Sequence, residues 1–307
     1  MPIIKKERPY PVTIAHDFKE FLEVPTCKGE PAIVVGGHAA NLWALHYLSK
    51  EPELLAFAPF TSKDMDFVGD STTAVTLARM VNEPAERAPA NEPTPVTYRI
   101  KRLFPDEPDR QNSTLEVLDH LAGVSNKELH ESAIILLSAP LGCRVRLPSP
   151  IICLKGQTRN LVRIPQEKRQ DLKKVRILIL CCRAFLREQL ELAESGKITE
   201  GCVSATFASL ESWICTRTAQ VACSRHDLDF REAFPVWELE KTFIPSLRHI
   251  PEWLRSVPVN AKLHLNGNGN GSDNGNGNGH GSPNGNGKRH RIPSKRCRLP
   301  NEMVIEA

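Results

Sequence analysis

Short apolar runs separated by polar turns fill the first half of the chain. Runs of about four to eight residues, rich in Val, Ile, Leu and Phe, are typical of buried strands. We expect strands within AIVVGG, DMDFVG, PVTYRIKRLF, STLEVLDHLAG, AIILLS and CRVRLP. Short helical segments separate these runs, so the pattern predicts a small mixed β-sheet with flanking helices over residues 1–150.

The second half follows a helical period. Apolar residues recur at three- and four-residue spacing, and a glycine stands near the end, in PQEKRQDLKKVRILILCCRAFLREQLELAESGK. A second single helix is expected over EGCVSATFASLESWICTRTAQVACSR. A mainly helical part is therefore predicted over residues 151–262, and the fold class as a whole is α+β.

The C-terminal segment has a composition that cannot form a core. Residues 266–287 read NGNGNGSDNGNGNGHGSPNGNG and hold nine of the eighteen glycines. Such a segment buries too little apolar surface to offset its conformational entropy. We expect residues 263–307 to be a disordered Asn/Gly-rich tether that carries a basic tail.

The net charge of +4 is concentrated in that tail. The last twenty residues hold six lysines and arginines against two glutamates, so residues 1–287 are neutral overall. The tail could contact a phosphate-rich partner or simply keep the chain soluble, because a few charges on a flexible segment are not specific. Because residues 1–287 are neutral overall, they give no sign of a large nucleic-acid-binding surface.

The sequence shows no membrane or secretion signal. No apolar run approaches the roughly 18–20 residues that a membrane helix needs, and MPIIKKERPYPV lacks the apolar stretch of a secretory signal. The nine cysteines are scattered, with no C-x-x-C pair and no cysteine–histidine cluster at zinc spacing. We expect a cytoplasmic protein with reduced, buried thiols and no membrane partner.

A glycine pair, Gly36 and Gly37, follows the apolar run AIVV and precedes a helix-forming segment. Glycine has no Cβ, so the backbone can turn sharply here and approach a ligand closely. A strand-to-helix junction also offers free backbone N–H groups to a phosphate. The pair predicts either a phosphate-binding turn or an ordinary tight turn.

Two aspartates, Asp64 and Asp66, alternate with Met65 and Phe67 in the run KDMDFV. The period of two in a strand places both carboxylates on one face. Adjacent carboxylates repel each other, and a divalent cation such as Mg²⁺ would compensate for this repulsion. The alternative is a solvated face of a half-buried sheet.

Taken together, the glycine pair, the following helix and the run from Thr61 to Phe67 resemble the nucleotidyltransferase superfamily. The likeness covers roughly residues 30–70 and is greatest to the AbiEii-like bacterial nucleotidyltransferases, although the segment between Gly37 and Thr61 is longer than usual there. The resemblance implies a polymerase-beta-like fold in which the glycine pair holds a nucleoside triphosphate (NTP). It also implies that Asp64 and Asp66 bind Mg²⁺ or Mn²⁺. The hydroxyl groups of Thr61 and Ser62 could add contacts to the triphosphate.

The resemblance implies further site residues in later segments. A third metal-binding carboxylate is expected in an apolar strand, where Glu116 stands in place of the family's aspartate. Asp119 is the alternative, on the opposite strand face. Members of the family also carry a lysine on a helix and then an aspartate in an R-x-x-D-L-type run, which Lys155 and Asp171 match in order. Lys155 would neutralise phosphate charge, and Asp171 would orient that lysine or assist at the nucleophile. Alternatively, Lys155 is an ordinary surface lysine and Asp171 is a solvated acid.

The function predicted from these features is metal-dependent transfer of a nucleoside monophosphate from an NTP to an acceptor, for which RNA is a candidate. One alternative is a binding protein of the same fold with a degenerate site. Another is a toxin that acts on RNA and is neutralised by a cognate antitoxin. The chain contains no P-loop, dinucleotide-binding or nucleophile-elbow motif.

Overall fold

The computed structural model describes residues 13–89, 91, 94–104, 112–138, 142–167, 169–257 and 302–303. All six predicted strand regions form strands. The strands are β1 (Thr13–Ile14), β2 (Ile33–Val35), β3 (Thr61–Ser62), β4 (Asp64–Val68), β5 (Ala85–Arg87), β6 (Val96–Arg102), β7 (Ser113–Leu118), β8 (Ala133–Ser138), β9 (Cys143–Pro148) and β10 (Glu302–Met303).

Helices dominate after β9, as the periodicity predicts. The α-helices are α1 (Gly36–Tyr47), α2 (Ser71–Val81), α3 (Asn126–Ser132), α4 (Pro150–Arg163), α5 (Asp171–Glu194), α6 (Glu200–Ile214), α7 (Arg217–His226), α8 (Val236–Lys241) and α9 (Ile250–Ser256). Short 3₁₀ helices lie at Ala15–Phe21, Pro52–Phe57, Phe230–Ala233 and Pro245–Leu247.

The central sheet has five strands in the order β2-β4-β7-β6-β5. β4 and β7 run parallel, whereas the other neighbours run antiparallel. The expectation of an α+β fold with a mixed sheet is therefore confirmed. A smaller sheet pairs β8 with β9 and with β10, and β1 pairs with β3.

The two faces of the central sheet carry different side chains. One face is apolar at its centre and belongs to the main core with α1 and α5; its residues Met65, Phe67, Ile100, Leu115 and Val117 are each 0% exposed. The opposite face carries a smaller apolar cluster at one end, in which Ile152 of α4 packs with residues of β2, β4 and β7. Strand alternation leaves Asp64, Asp66 and Glu116 on this second face, beyond the apolar cluster.

The region predicted to be one helix after residue 199 is two helices. α6 ends at Ile214 and α7 begins at Arg217. The side chain of Thr216 accepts a hydrogen bond from the backbone N–H of Ala219, which is the geometry of an N-cap. The prediction of a single helix was wrong because the helical spacing of apolar residues continues across Thr216. That spacing does not show that this threonine caps a new helix.

The cysteines follow the prediction only in part. Cys153, Cys181 and Cys182 are buried free thiols. Cys215, which lies at the end of an apolar run, is exposed because it is the residue just after α6. Cys202 is disulfide-bonded, so the expectation of reduced thiols was wrong at this position.

The predicted tether and basic tail lie outside the described residues, apart from Glu302–Met303. That pair forms β10, parallel to Ile135 and Leu136 of β8, so the expected disorder does not extend to these two residues. Across the part of the chain that the structure describes, no helix is long and apolar enough to cross a membrane.

Candidate functional site

The register of β4 places the predicted acidic residues together. Asp66 pairs with Val35 of β2 on one side and with Glu116 of β7 on the other. Asp64 pairs with Thr114, two residues earlier in both strands, and therefore points to the same face. The structure thus brings Asp64, Asp66 and Glu116 to one face at the edge of the apolar cluster.

The glycine pair is the start of α1 and packs directly against these acids. Gly36 has φ +66°, and a Cβ added to it would lie 1.8 Å from Oδ2 of Asp66. A Cβ on Gly37 would lie 2.3 Å from Oγ of Ser62. Only glycine allows this approach. The N–H groups of Gly36 and Gly37, in the first turn of α1, have no acceptor within the helix.

The acids lie in an environment that opposes their negative charge. Burial raises the pKa of Asp66 well above its usual value, and the neighbouring Glu116 and Asp64 raise it further. Burial also raises the pKa of Asp64, and the nearby ammonium group of Lys63 offsets part of that rise. A bound cation would relieve this unfavourable accumulation of negative charge.

Glu116 has a partner within the sheet. Nε of Arg99, directly opposite on β6, donates to Oε1 of Glu116 at 2.9 Å. Among the described residues, no group of three His, Cys, Asp or Glu side chains is arranged to hold a metal ion. Asp119, the alternative third acid, follows the end of β7 in an exposed position beside His120. Glu116 is therefore the better placed of the two, although its carboxylate is engaged by Arg99.

The donor chemistry fits a magnesium-like ion at the aspartate pair. Both aspartates offer hard oxygen ligands, and Mg²⁺ binds through one or two carboxylates together with water and phosphate oxygens. Burial, Glu116 and Asp64 raise the pKa of Asp66, and a cation bound beside it would act in the opposite direction. Glu116 would complete the set only after it separates from Arg99.

A cleft of about 420 Å³ opens at this edge of the sheet. Most of the predicted site residues line it: Gly36, Gly37, Thr61, Ser62, Asp64, Asp66 and Asp171. We call the surface formed by β3, β4 and the start of α1 the strand wall. The opposite surface, formed by α4, the start of α5 and the loop between them, is the helical wall. A volume of this size is within the range of small-molecule sites.

Asp171 lies on the helical wall as the first residue of α5. It is 7% exposed and accepts hydrogen bonds from Nε of Arg169 at 2.7 Å and from Nε2 of Gln166 at 3.2 Å. The alternative that it is a solvated acid is therefore wrong. Asp171 holds Arg169 at the cleft, where the guanidinium offsets part of the rise in pKa at Asp64 and Asp66.

Lys155 is not brought to the cleft. Its Nζ donates to Oε1 of Glu128 at 2.6 Å and to Oγ of Ser209 at 3.1 Å. Gln157, two residues later on α4, lines the cleft instead. Two residues correspond to about 200° around a helix, so the two side chains leave α4 in nearly opposite directions. The predicted role of Lys155 at a phosphate is corrected accordingly.

Lys174 is a cleft residue that the sequence analysis missed. It is 3% exposed, and its Nζ donates to Oδ1 of Asn41 at 2.5 Å and to the carbonyl oxygen of Thr61 at 2.6 Å. Burial lowers the pKa of Lys174 to about 7, and the neighbouring Lys173 contributes to the shift. The signal was present in the spacing, because Asp171, Lys174, Val175 and Leu178 follow the helical period of a buried stripe.

Comparison of the chain with models of protein families, with curated proteins and with solved structures finds no match.

Proposed function

We propose that the chain is a metal-dependent nucleotidyltransferase that moves a nucleoside monophosphate from an NTP to an acceptor. The observation that carries the proposal is the convergence in one cleft of the Gly36–Gly37 turn with Asp64 and Asp66. Backbone N–H groups at the start of a helix suit the triphosphate, and paired carboxylates suit the metal that accompanies it. The glycine turn and the aspartate pair come from separate elements, and both would bind the same metal–nucleotide.

The residues would divide the work as follows. The Gly36 and Gly37 N–H groups bind triphosphate oxygens, and Arg169 adds a charged donor from the facing wall. Asp64 and Asp66 would hold the divalent ion, which when bound supplies positive charge for the attacking and leaving oxygens. Asp171 keeps the Arg169 guanidinium in place through its 2.7 Å hydrogen bond.

The reaction proposed is an in-line substitution at the α-phosphorus. A hydroxyl oxygen of the acceptor forms the new bond to phosphorus, the bond to the bridging oxygen breaks, and pyrophosphate leaves with the electron pair. The hydroxyl proton passes to solvent or to a carboxylate. We propose RNA as the first acceptor to test, since the basic residues near the C-terminus could attract it.

One observation favours a second candidate, a nucleotide-binding protein with a degenerate site. The Glu116 carboxylate accepts from Arg99, directly across the strand pair, rather than joining the two aspartates. If that ion pair persists when nucleotide binds, the third acid contributes no metal ligand. Such a protein would bind metal–nucleotide without releasing pyrophosphate.

Calorimetric titration with the four NTPs in MgCl₂ tests the proposal. The variants are the double substitution Asp64→Asn, Asp66→Asn and the control Asp119→Asn, which removes an exposed acid outside the cleft. We expect wild type and control to bind an NTP only when metal is present. The double variant should bind at least tenfold more weakly, since it loses both metal ligands.

Absence of metal-dependent binding in the wild type would overturn both candidates. Equal binding by the double variant would move the nucleotide site away from β4. Where binding holds, release of pyrophosphate from the bound NTP in the presence of RNA distinguishes the enzyme from the binding protein.

A further inference from the structure

A buried amide faces the cleft from α4 and is used by none of the groups assigned above. Gln157 is 6% exposed, and its Oε1 has no hydrogen-bond partner among the described residues. A buried acceptor that stays unpaired is unfavourable, so native structures rarely keep one without a reason. At a ligand cleft, that reason is a donor supplied by the ligand.

Position separates Gln157 from the two other buried amides of the described residues that have unpaired atoms, Asn41 and Gln189. Asn41 does not line the cleft, and its Oδ1 already accepts from Lys174. Gln189 on α5 is 0% exposed and also has amide atoms without partners, but it does not line the cleft. Gln157 does line it, and Asn160, one turn further along the same helix, lines it as well. Two amides spaced by three residues lie on one side of a helix. The helical wall therefore presents an amide surface opposite the strand wall.

The strand wall already accounts for the phosphates and the metal, which leaves the amide surface for another part of the ligand. A nucleobase edge carries adjacent donors and acceptors, and glutamine and asparagine amides are the side chains that match them in bidentate fashion. The unpaired atom of Gln157 is an acceptor, and an exocyclic amino group projects a donor beyond the ring edge. An oxo group at the same position would place one acceptor against another.

We propose that Gln157, with Asn160 beside it, forms a base-recognition subsite that favours nucleotides whose base carries an exocyclic amino group. This inference rests on the proposed function, because it names the substrate class of the same cleft. Gln157 is then a specificity-determining residue and takes no part in the phosphate chemistry.

The test compares nucleotides that differ by an amino-to-oxo exchange, which also adds a proton to the neighbouring ring nitrogen. Calorimetry with MgCl₂ gives dissociation constants for ATP against ITP and for CTP against UTP, with inorganic tripolyphosphate as a probe that has no base. Wild type should prefer the amino member of at least one pair by about tenfold. Gln157→Leu should reduce that ratio to near one while it leaves tripolyphosphate affinity unchanged.

Two further variants separate recognition from structure. Gln157→Glu keeps an acceptor of the same shape, so it should retain the preference for the amino member. Gln189→Leu removes a buried amide with unpaired atoms outside the cleft and should leave both ratios as in wild type. Thermal unfolding of each variant shows that the fold is retained before binding is measured.

The outcomes distinguish this inference from the proposed function. Tripolyphosphate and NTP binding without any amino preference, or a preference that survives in Gln157→Leu, overturns the base subsite and leaves the nucleotidyltransferase proposal standing. Absence of metal-dependent binding of tripolyphosphate and of every NTP overturns the proposed function, and the base subsite with it.

Discussion

The two walls of the cleft differ in charge and in origin. The strand wall carries two partly buried carboxylates whose pKa values are raised by burial and by neighbouring acids. The helical wall carries cations and amides, with Arg169 held by Asp171 and Lys174 held by Asn41 and Thr61. Without a ligand, the carboxylates of the strand wall repel each other, and the cations and amides of the helical wall have no ligand group to bind.

The difference shows how the cleft would divide a metal–nucleotide between its walls. In the proposed complex, a divalent ion would lower the repulsion on the strand wall, and Arg169 of the helical wall would match the phosphate charge that comes with it. The carbonyl of Thr61 links the two, because it belongs to β3 on the strand wall and accepts from Lys174 of α5. Substitutions on each wall should therefore have different signatures.

The largest effect is expected where the strand wall is most closely packed. In Gly36→Ala the new Cβ would meet Oδ2 of Asp66, at a position with φ +66°. We expect the free energy of unfolding to fall by about 3 kcal/mol or more, the sum of backbone strain and steric overlap. Urea denaturation measures it.

The matched control is Gly29→Ala, which has φ +76° but no atom within 4 Å of the added Cβ. Gly29→Ala introduces the backbone strain without the steric overlap, so the free energy of unfolding should fall by about 1–2 kcal/mol. Equal costs for the two variants would show that the close approach of Gly36 to Asp66 is absent in solution.

On the helical wall, Lys174 predicts a pH dependence of stability. The folded chain releases its proton near the pKa of about 7, a value set mainly by burial, whereas the unfolded chain keeps it up to about 10.4. Between these values the unfolded state binds more protons, so the free energy of unfolding rises with pH. The rise attributable to Lys174 is about 1.4 kcal/mol per pH unit.

Urea denaturation at pH 7, 8 and 9 measures this slope in wild type and in Lys174→Met, which should lack it. Lys197→Met removes an exposed lysine and should keep the wild-type slope. Identical slopes in wild type and Lys174→Met would contradict the burial of this ammonium group.

A smaller effect is expected for Arg169→Gln, which removes a cation of the helical wall while the aspartates stay intact. Binding of Mg–tripolyphosphate should weaken about tenfold, since a hydrogen bond to a charged group contributes about 1.5 kcal/mol or more. The control is Arg176→Gln on the exposed side of α5. Unchanged affinity in Arg169→Gln would remove this arginine from the phosphate site.

The smallest effect is expected for Lys155→Ala. This lysine pairs with Glu128 and Ser209 outside the cleft, so NTP affinity should stay as in wild type. The free energy of unfolding should fall by about 1 kcal/mol or less, because Glu128 is 39% exposed and solvent weakens the pair. A loss of nucleotide affinity in Lys155→Ala would show that α4 presents a different face to the cleft.

The sequence predicts the strand wall better than the helical wall, for a physical reason. Within β4 the alternation of aspartates with Met65 and Phe67 fixes which face each side chain takes. The fact that Glu116 lies beside Asp66 could not be derived in this way, since it depends on the parallel register between β4 and β7. The resemblance supplied that residue, but not its ion pair with Arg99.

On the helical wall the missing information is the rotation of each helix about its axis. Whether Lys155 or Gln157 lines the cleft depends on which face of α4 packs on the sheet. The order of residues along the chain does not determine that face. For α5 the sequence does indicate which face is buried, because Lys174 occupies a position of the apolar stripe. A buried lysine in an apolar register is a signal that sequence analysis can use.

In the proposed complex, one ligand spans both walls, with its metal on the aspartates. The most direct measurement is diffraction from crystals grown with MnCl₂ and a non-hydrolysable ATP analogue, with anomalous data that locate manganese. We expect a manganese peak beside the carboxylates of Asp64 and Asp66, with the triphosphate between the Gly36–Gly37 turn and Arg169. Manganese density absent from the two aspartates, or an analogue bound outside the cleft, would contradict this arrangement.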